Sequence, residues 1–101
     1  MMRVYIASPY TLGDVAVNVK RQIDAFNELM NKGYQPFAPL LAHFIHLVHP
    51  KSYEQWMSWD LEWLSQCDIV LRLEGESSGA DREVQRAKEL GIRVVYSIDQ
   101  I

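Results

Sequence analysis

Four short apolar runs, separated by segments of helical period, dictate what this chain can fold into. Val4-Tyr5-Ile6-Ala7-Ser8 is a first strand ended by Pro9, and Tyr34 to Ala38 is a second that Pro36 confines to an edge. Asp68 to Leu73 is unbroken apolar sequence of the central-strand type, and Ile92 to Ile98 is rich in β-branched residues. Between the first two strands, Asp14 caps a helix reaching Lys32 and stopped by Gly33. Its apolar residues Val15, Val19, Ile23, Phe26 and Met30 recur at spacings of three and four, which predicts one buried face. Leu40 to His49 forms a short helix between Pro39 and Pro50. Ser52 with Gln55 predicts a capping box for a helix to about Ser65. A last helix, from about Gly79 to Leu90, ends at Gly91.

Strands alternating with helices imply a parallel sheet covered on both faces, with right-handed crossovers. The expected fold is α/β, a three-layer Rossmann-like or flavodoxin-like sandwich of four parallel strands in the order 2-1-3-4. A length of 101 residues makes it one domain, residues 1–101. The 49% hydrophobic share, with three Trp and five Tyr, is that of a globular protein. A net charge of −3 and the lack of any extended Lys/Arg cluster argue against polymeric nucleic acid as a partner. One cysteine, Cys67, allows no internal disulfide and reads as a buried thiol in a reducing compartment. Met1-Met2-Arg3 leads directly into the first strand with no signal-peptide pattern, and no apolar stretch has membrane-spanning length. The expectation is a cytoplasmic chain without a membrane partner.

In the order 2-1-3-4 the topological switch falls between strands 1 and 3, where ligands bind at the carboxyl edge of such sheets. The Ser8-to-Thr11 loop and the Gly75-to-Asp81 loop therefore meet there. Gly75 to Gly91 joins a Gly/Ser loop to a helix bearing Glu83 in its opening turn, where the helix N-terminus favours an ionised carboxylate. Such a carboxylate ordinarily does no more than favour the macrodipole. Beside a bound sugar it is a nucleophile for an anomeric carbon. Asp60 shares a helix face with Trp56 and Trp63, which makes it a surface-edge residue or a pocket acid of raised pKa. Tyr5 reads as an ordinary core tyrosine, or as one whose hydroxyl reaches a carboxylate at the sheet edge. Ser8, Ser77 and Ser78 offer hydroxyls for a ribose or phosphate, or simply form turns.

Neither G-x-x-x-x-G-K-[ST] nor G-x-G-x-x-G is present, which disfavours a nucleoside triphosphate or dinucleotide cradle. His43, His46 and His49 have helical spacing, but nothing near them completes a zinc set, so a ligand-facing or solvent-edge helix is the better reading. The Trp56, Met57, Trp59 and Trp63 stripe reads as core or subunit interface rather than a base-stacking platform. No metal and no cofactor are expected.

These residues together resemble the nucleoside 2-deoxyribosyltransferase-like superfamily, including its 2′-deoxynucleoside 5′-phosphate N-hydrolases. The resemblance spans nearly the whole chain. It rests on Val4-Tyr5-Ile6-Ala7-Ser8-Pro9, on Asp60-Leu61-Glu62-Trp63-Leu64 with Cys67-Asp68-Ile69-Val70, and on Ser77-Ser78-Gly79-Ala80-Asp81-Arg82-Glu83 with Ala87 and Gly91. It implies Glu83 as the nucleophile at C1′, Asp60 as the group assisting departure of the base, and Tyr5 as the residue holding the carboxylate. It further implies Ser8, Pro9, His43, Ser77, Ser78 and Gly79 as substrate-binding residues. Transferases of the group carry an aspartate at the position of Ser77, and the phosphate hydrolases a serine. The first loop, Ser8-Pro9-Tyr10-Thr11, lacks the arginine that those hydrolases place nearby. The resemblance also implies a homo-oligomer whose neighbouring subunit completes the site, with Ser97 and Asp99 as the C-terminal candidates here.

The expected function is cleavage or transfer at the N-glycosidic bond of a 2′-deoxynucleoside or its 5′-monophosphate. A non-catalytic nucleotide-binding module on the same fold is the alternative. An interaction protein that uses its tryptophan stripe is a third reading.

Overall fold

The computed structural model describes residues 1–101. The elements are β1 (Arg3–Ala7), α1 (Val15–Asn31), β2 (Gln35–Phe37), a 3₁₀ turn (Pro39–Ala42), α2 (His43–Val48), α3 (Tyr53–Leu64), β3 (Ile69–Arg72), α4 (Ser78–Glu89), β4 (Arg93–Val95) and a terminal 3₁₀ turn (Ile98–Gln100). The four strands form one sheet in the order β2-β1-β3-β4, and every pairing is parallel. This is the expected α/β sandwich.

The two-residue period of β1 divides the core. Val4 and Ile6 face one layer and pack with Ala25 and Leu29 of α1, Ile69 and Leu71 of β3, and Val95. Tyr5 and Ala7 face the other, with Leu64 of α3, Val70, and Ala80 and Ala87 of α4. Val4 to Ala7 have no exposed surface. Burying a Val or Ile side chain in this way contributes about 1.5–3 kcal/mol. The same alternation points Tyr5 and Arg72 toward α3 and α4, and the functional site depends on that.

α1 departs from its expected face. Asp14 caps it, its Oδ1 accepting from the backbone N–H of Ala16 and Val17. The buried residues, however, are Asn18, Val19, Gln22, Ala25 and Leu29, whereas Ile23 and Met30 are 41% and 51% exposed. The helix is rotated because two polar side chains find better partners inside than out. Gln22 Nε2 donates to the carbonyl of Ile6 at 3.1 Å and to Ser8 Oγ at 2.8 Å, and its Oε1 accepts from the N–H of Leu40 at 2.8 Å. Asn18 Nδ2 donates to the carbonyls of Tyr10 and Leu12. Both amides are buried, and neither leaves a fully buried polar atom without a partner.

The capping box of α3 forms as expected, with Gln55 N–H donating to Ser52 Oγ and Ser52 N–H to Gln55 Oε1. Strand β4 is shorter than the Ile92-to-Ile98 run. Tyr96 N–H turns away to donate to Gln100 Oε1 at 2.7 Å, and the Arg93 guanidinium donates to the Gln100 carbonyl. The terminal turn then lays Ile98 and Ile101 on the α1-side core. No helix is long and apolar enough to cross a membrane.

Candidate active site

The loops that leave β1 and β3 meet at the carboxyl edge of the sheet, and Pro9 is the hinge pin between them. Gly75 has φ +119°, and a Cβ there would stand 2.8 Å from Pro9 Cγ. Only glycine combines that conformation with so close an approach. The loop after β3 is held from below by Arg72, which is buried with its guanidinium donating to the carbonyls of Leu73 and Gly75 and to Asp81 Oδ1. Arg21 adds a bond to the Glu74 carbonyl at 3.0 Å. The apolar reading of Asp68 to Leu73 overlooks Arg72, whose charge within that run is the one signal that marks it.

Above this junction lies a cavity of about 330 Å³. That is the lower end of the range for small-molecule sites. The β1–α1 loop contributes Ser8, Tyr10 and Thr11, and α4 with its cap contributes Ser77, Gly79, Ala80 and Glu83. One face of α3 contributes Tyr53, Trp56, Met57 and Asp60 at helical spacing, and α2 supplies His43 and His46.

Glu83 and Asp60 open onto this one space, and Tyr5 lies beneath it with its hydroxyl donating to Glu83 Oε2. Glu83 is only 6% exposed. With Ser77 as the N-cap it falls in the second turn of α4, beyond the reach of the terminal dipole. Its charge state is accordingly not the ionised one expected from a helix start. Burial pushes its carboxyl from an ordinary 4.5 up to about 8. The bond from Tyr5 and the charge of Arg72 pull the other way, and the negative charge of Asp60 adds to the rise. Asp60 is half-buried, and burial lifts it from 3.8 to about 7. The Tyr5 hydroxyl is held well above its ordinary value by burial and then by Glu83, so it stays a donor.

Ser77 Oγ caps α4 by accepting from the Ala80 N–H at 3.1 Å, which leaves its own O–H to donate toward the cavity. Ser8 Oγ accepts from Gln22 and is likewise left with a free O–H. His43 Nδ1 is bonded to the Tyr10 hydroxyl. Gly79 lies against α3, where an added Cβ would meet Met57 Cε and Tyr53 Oη at 3.5 Å. Two of the expected substrate-binding residues fall elsewhere: Pro9 packs on Gly75, and Ser78 begins α4 on its exposed side, neither lining the cavity.

The tryptophan stripe splits in two. Trp56 and Met57 line the cavity, whereas Trp59 and Trp63 pack on Phe37, which stacks on Tyr5 at 5.7 Å between ring centroids. Gln22, Tyr10, His46, Trp56 and Met57 are cavity residues that the sequence did not single out for ligand contact. Gln22 and Asn18 had a signal, namely two amides one turn apart on an otherwise apolar stripe. Cys67 sits just before β3, half-buried, with burial raising its thiol to about 11.

The fold has a counterpart among solved structures. The chain is similar to the 2-deoxyribosyltransferase of the psychrotolerant bacterium Bacillus psychrosaccharolyticus, with a TM-score of 0.66 and 25% sequence identity. The similarity covers 91% of this chain and 69% of that one. No curated protein matches it by sequence. A family model described as "Domain of unknown function (DUF7768)" matches residues 2–97, and the chain belongs to that family.

Proposed function

We propose that this protein cleaves or transfers at the N-glycosidic bond of a 2′-deoxynucleoside or its 5′-monophosphate. One observation carries the reading: Glu83, held by Tyr5, opens with Asp60 onto a single cavity at the sheet's switch point. The likeness to a 2-deoxyribosyltransferase supports it.

The chemistry follows from the two carboxyls. Breaking an N-glycosidic bond builds positive charge on the sugar, which an ionised Glu83 stabilises or traps at C1′. The departing base needs a proton, which Asp60 supplies. Between about pH 7 and about 8 the pair holds one proton between them. Most of that proton rests on Glu83, and the reactive arrangement is the minor one, with the proton on Asp60 and the charge on Glu83. Tyr5 favours it by donating to the Glu83 carboxylate, and Arg72 favours it through its charge. Ser77, Ser8 and Gly79 then hold the sugar end, and His43 faces the ligand from α2. Water as the second nucleophile gives a hydrolase, and a second nucleobase gives a transferase.

The test is incubation with purine and pyrimidine deoxynucleosides and their 5′-monophosphates, with base release followed by chromatography. The expected result is release that Glu83→Ala abolishes. No release above that control across the panel rejects the enzymatic reading. A second reading, a nucleotide-binding module without turnover, draws on the raised pKa of Glu83, which leaves the nucleophile mostly protonated at neutral pH. It requires nucleotide binding that survives Glu83→Gln together with an absence of turnover in the wild type. Self-association is part of the proposal, supported by the 39% and 48% exposure of Trp59 and Trp63. Sedimentation of Trp59→Ala and Trp63→Ala is expected to show smaller species than the wild type.

A further inference from the structure

His46 has only one tautomer open to it. Its Nδ1 accepts a hydrogen bond from Trp56 Nε1 at 2.8 Å and another from the backbone N–H of Lys51 at 3.2 Å. An indole N–H and a peptide N–H can only donate. Nδ1 must therefore carry its lone pair, and the single proton of the neutral ring sits on Nε2. The two donors come from α3 and from the connection between α2 and α3, so they hold the ring plane as well as the tautomer. Turning the ring over would lose both bonds. His46 lines the cavity, and with Nδ1 occupied the one polar group it has left to offer there is the Nε2–H donor.

Trp56, which holds the ring, lies one turn of α3 before Asp60, a rise of about 6 Å along the helix, and both line the same cavity as His46. The cavity lining also includes the apolar groups of Met57, Leu40 and Ala42, which suit the face of a flat base. The hydroxyl-bearing residues suited to a sugar, Ser77 and Ser8, belong to the sheet-edge loops instead.

We propose that His46 reads the edge of the nucleobase through its fixed Nε2–H, selecting bases that present a carbonyl oxygen there and rejecting those that present an amino group. This rests on the reading of the cavity as a nucleoside site. An oxo base offers an acceptor to the donor. The corresponding amino base sets N–H against N–H, leaving buried polar groups unpaired, and a site built around one hydrogen bond discriminates strongly against that arrangement.

The test measures binding in the Glu83→Gln protein, where no turnover interferes, using two pairs that differ only as oxo and amino bases. These are deoxyinosine with deoxyadenosine, and deoxyuridine with deoxycytidine, each titrated by calorimetry. The expected result is tighter binding of the oxo member by about tenfold or more in at least one pair. Adding His46→Gln, whose amide can turn to donate or accept, should collapse that preference to within about threefold. Trp56→Phe, which keeps an aromatic wall but removes the shorter of the two bonds that hold the His46 ring, should reduce it as well and serves if the His46 variant does not fold. Equal or reversed affinities overturn the inference, as does a preference that survives both substitutions, while leaving the nucleoside reading intact. Failure of all four compounds and of their 5′-monophosphates to bind overturns the inference together with that reading.

Discussion

Replacing Glu83 by Gln relieves a penalty that grows with pH. Burial moves this carboxyl from 4.5 to about 8. That is roughly three and a half pH units at about 1.4 kcal/mol each, so the full effect is on the order of 5 kcal/mol. Between those two values the unfolded chain is ionised while the folded chain keeps the proton. Wild-type stability therefore falls as pH rises, the contribution being intact below pH 4.5 and gone above about pH 8. The Glu83→Gln protein lacks this titration but still offers the Tyr5 hydroxyl an acceptor, and the other titrating groups are common to both chains. Urea unfolding of the two proteins from about pH 5 to about pH 9 should show the variant gaining about 1.4 kcal/mol per pH unit on the wild type, then levelling near pH 8. Domains of this size have only about 5–15 kcal/mol in total, so the wild type should be visibly labile at the alkaline end. A difference that does not change with pH would refute the reasoning. A difference of opposite sign would show that Tyr5 and Arg72 outweigh burial and keep Glu83 ionised in the fold.

The rate of base release, plotted as kcat/KM against pH, should form a bell with its maximum between about pH 7 and about 8. Below it both carboxyls are protonated, and above it Asp60 has no proton to give. Gln22→Leu should destabilise the fold by about 2–3 kcal/mol in denaturant titration, because it leaves the N–H of Leu40 and the carbonyl of Ile6 without their partner. Gly75→Ala should lower stability by about 1–3 kcal/mol in thermal unfolding, since a side chain at φ +119° is strained and meets Pro9.

The sheet was legible because its strands are buried runs whose character does not depend on who their neighbours are. Val4 to Ala7 and Ile69 to Leu71 would read as core strands in almost any context, and Pro36 could only sit at an edge. The rotation of α1 was not legible, because Asn18 and Gln22 are worth burying only once the carbonyls of Tyr10, Leu12 and Ile6 stand opposite them. Tertiary contacts overrode periodicity there. The placement of Glu83 beside Tyr5 follows from the two-residue period of β1 and the order of the sheet. Its charge state does not, since desolvation depends on everything packed around the site. The split of the tryptophan stripe was equally hidden. Trp56 and Trp59 are three residues apart on one helix, and the location of Phe37 decides which of them packs over the sheet edge and which lines the cavity.

Gln22 has a mechanical consequence. By joining β1, the Ser8 loop and the segment entering the 3₁₀ turn through a single amide, it makes three boundaries of the cavity move as one piece. The opposite boundary is of another kind, since α2 is six residues long, has none fully buried, and stands just ahead of Pro50. Elements with so little buried contact open at low free energy. The cavity is thus bounded on one side by groups tied to the sheet and on another by a short helix with little buried contact.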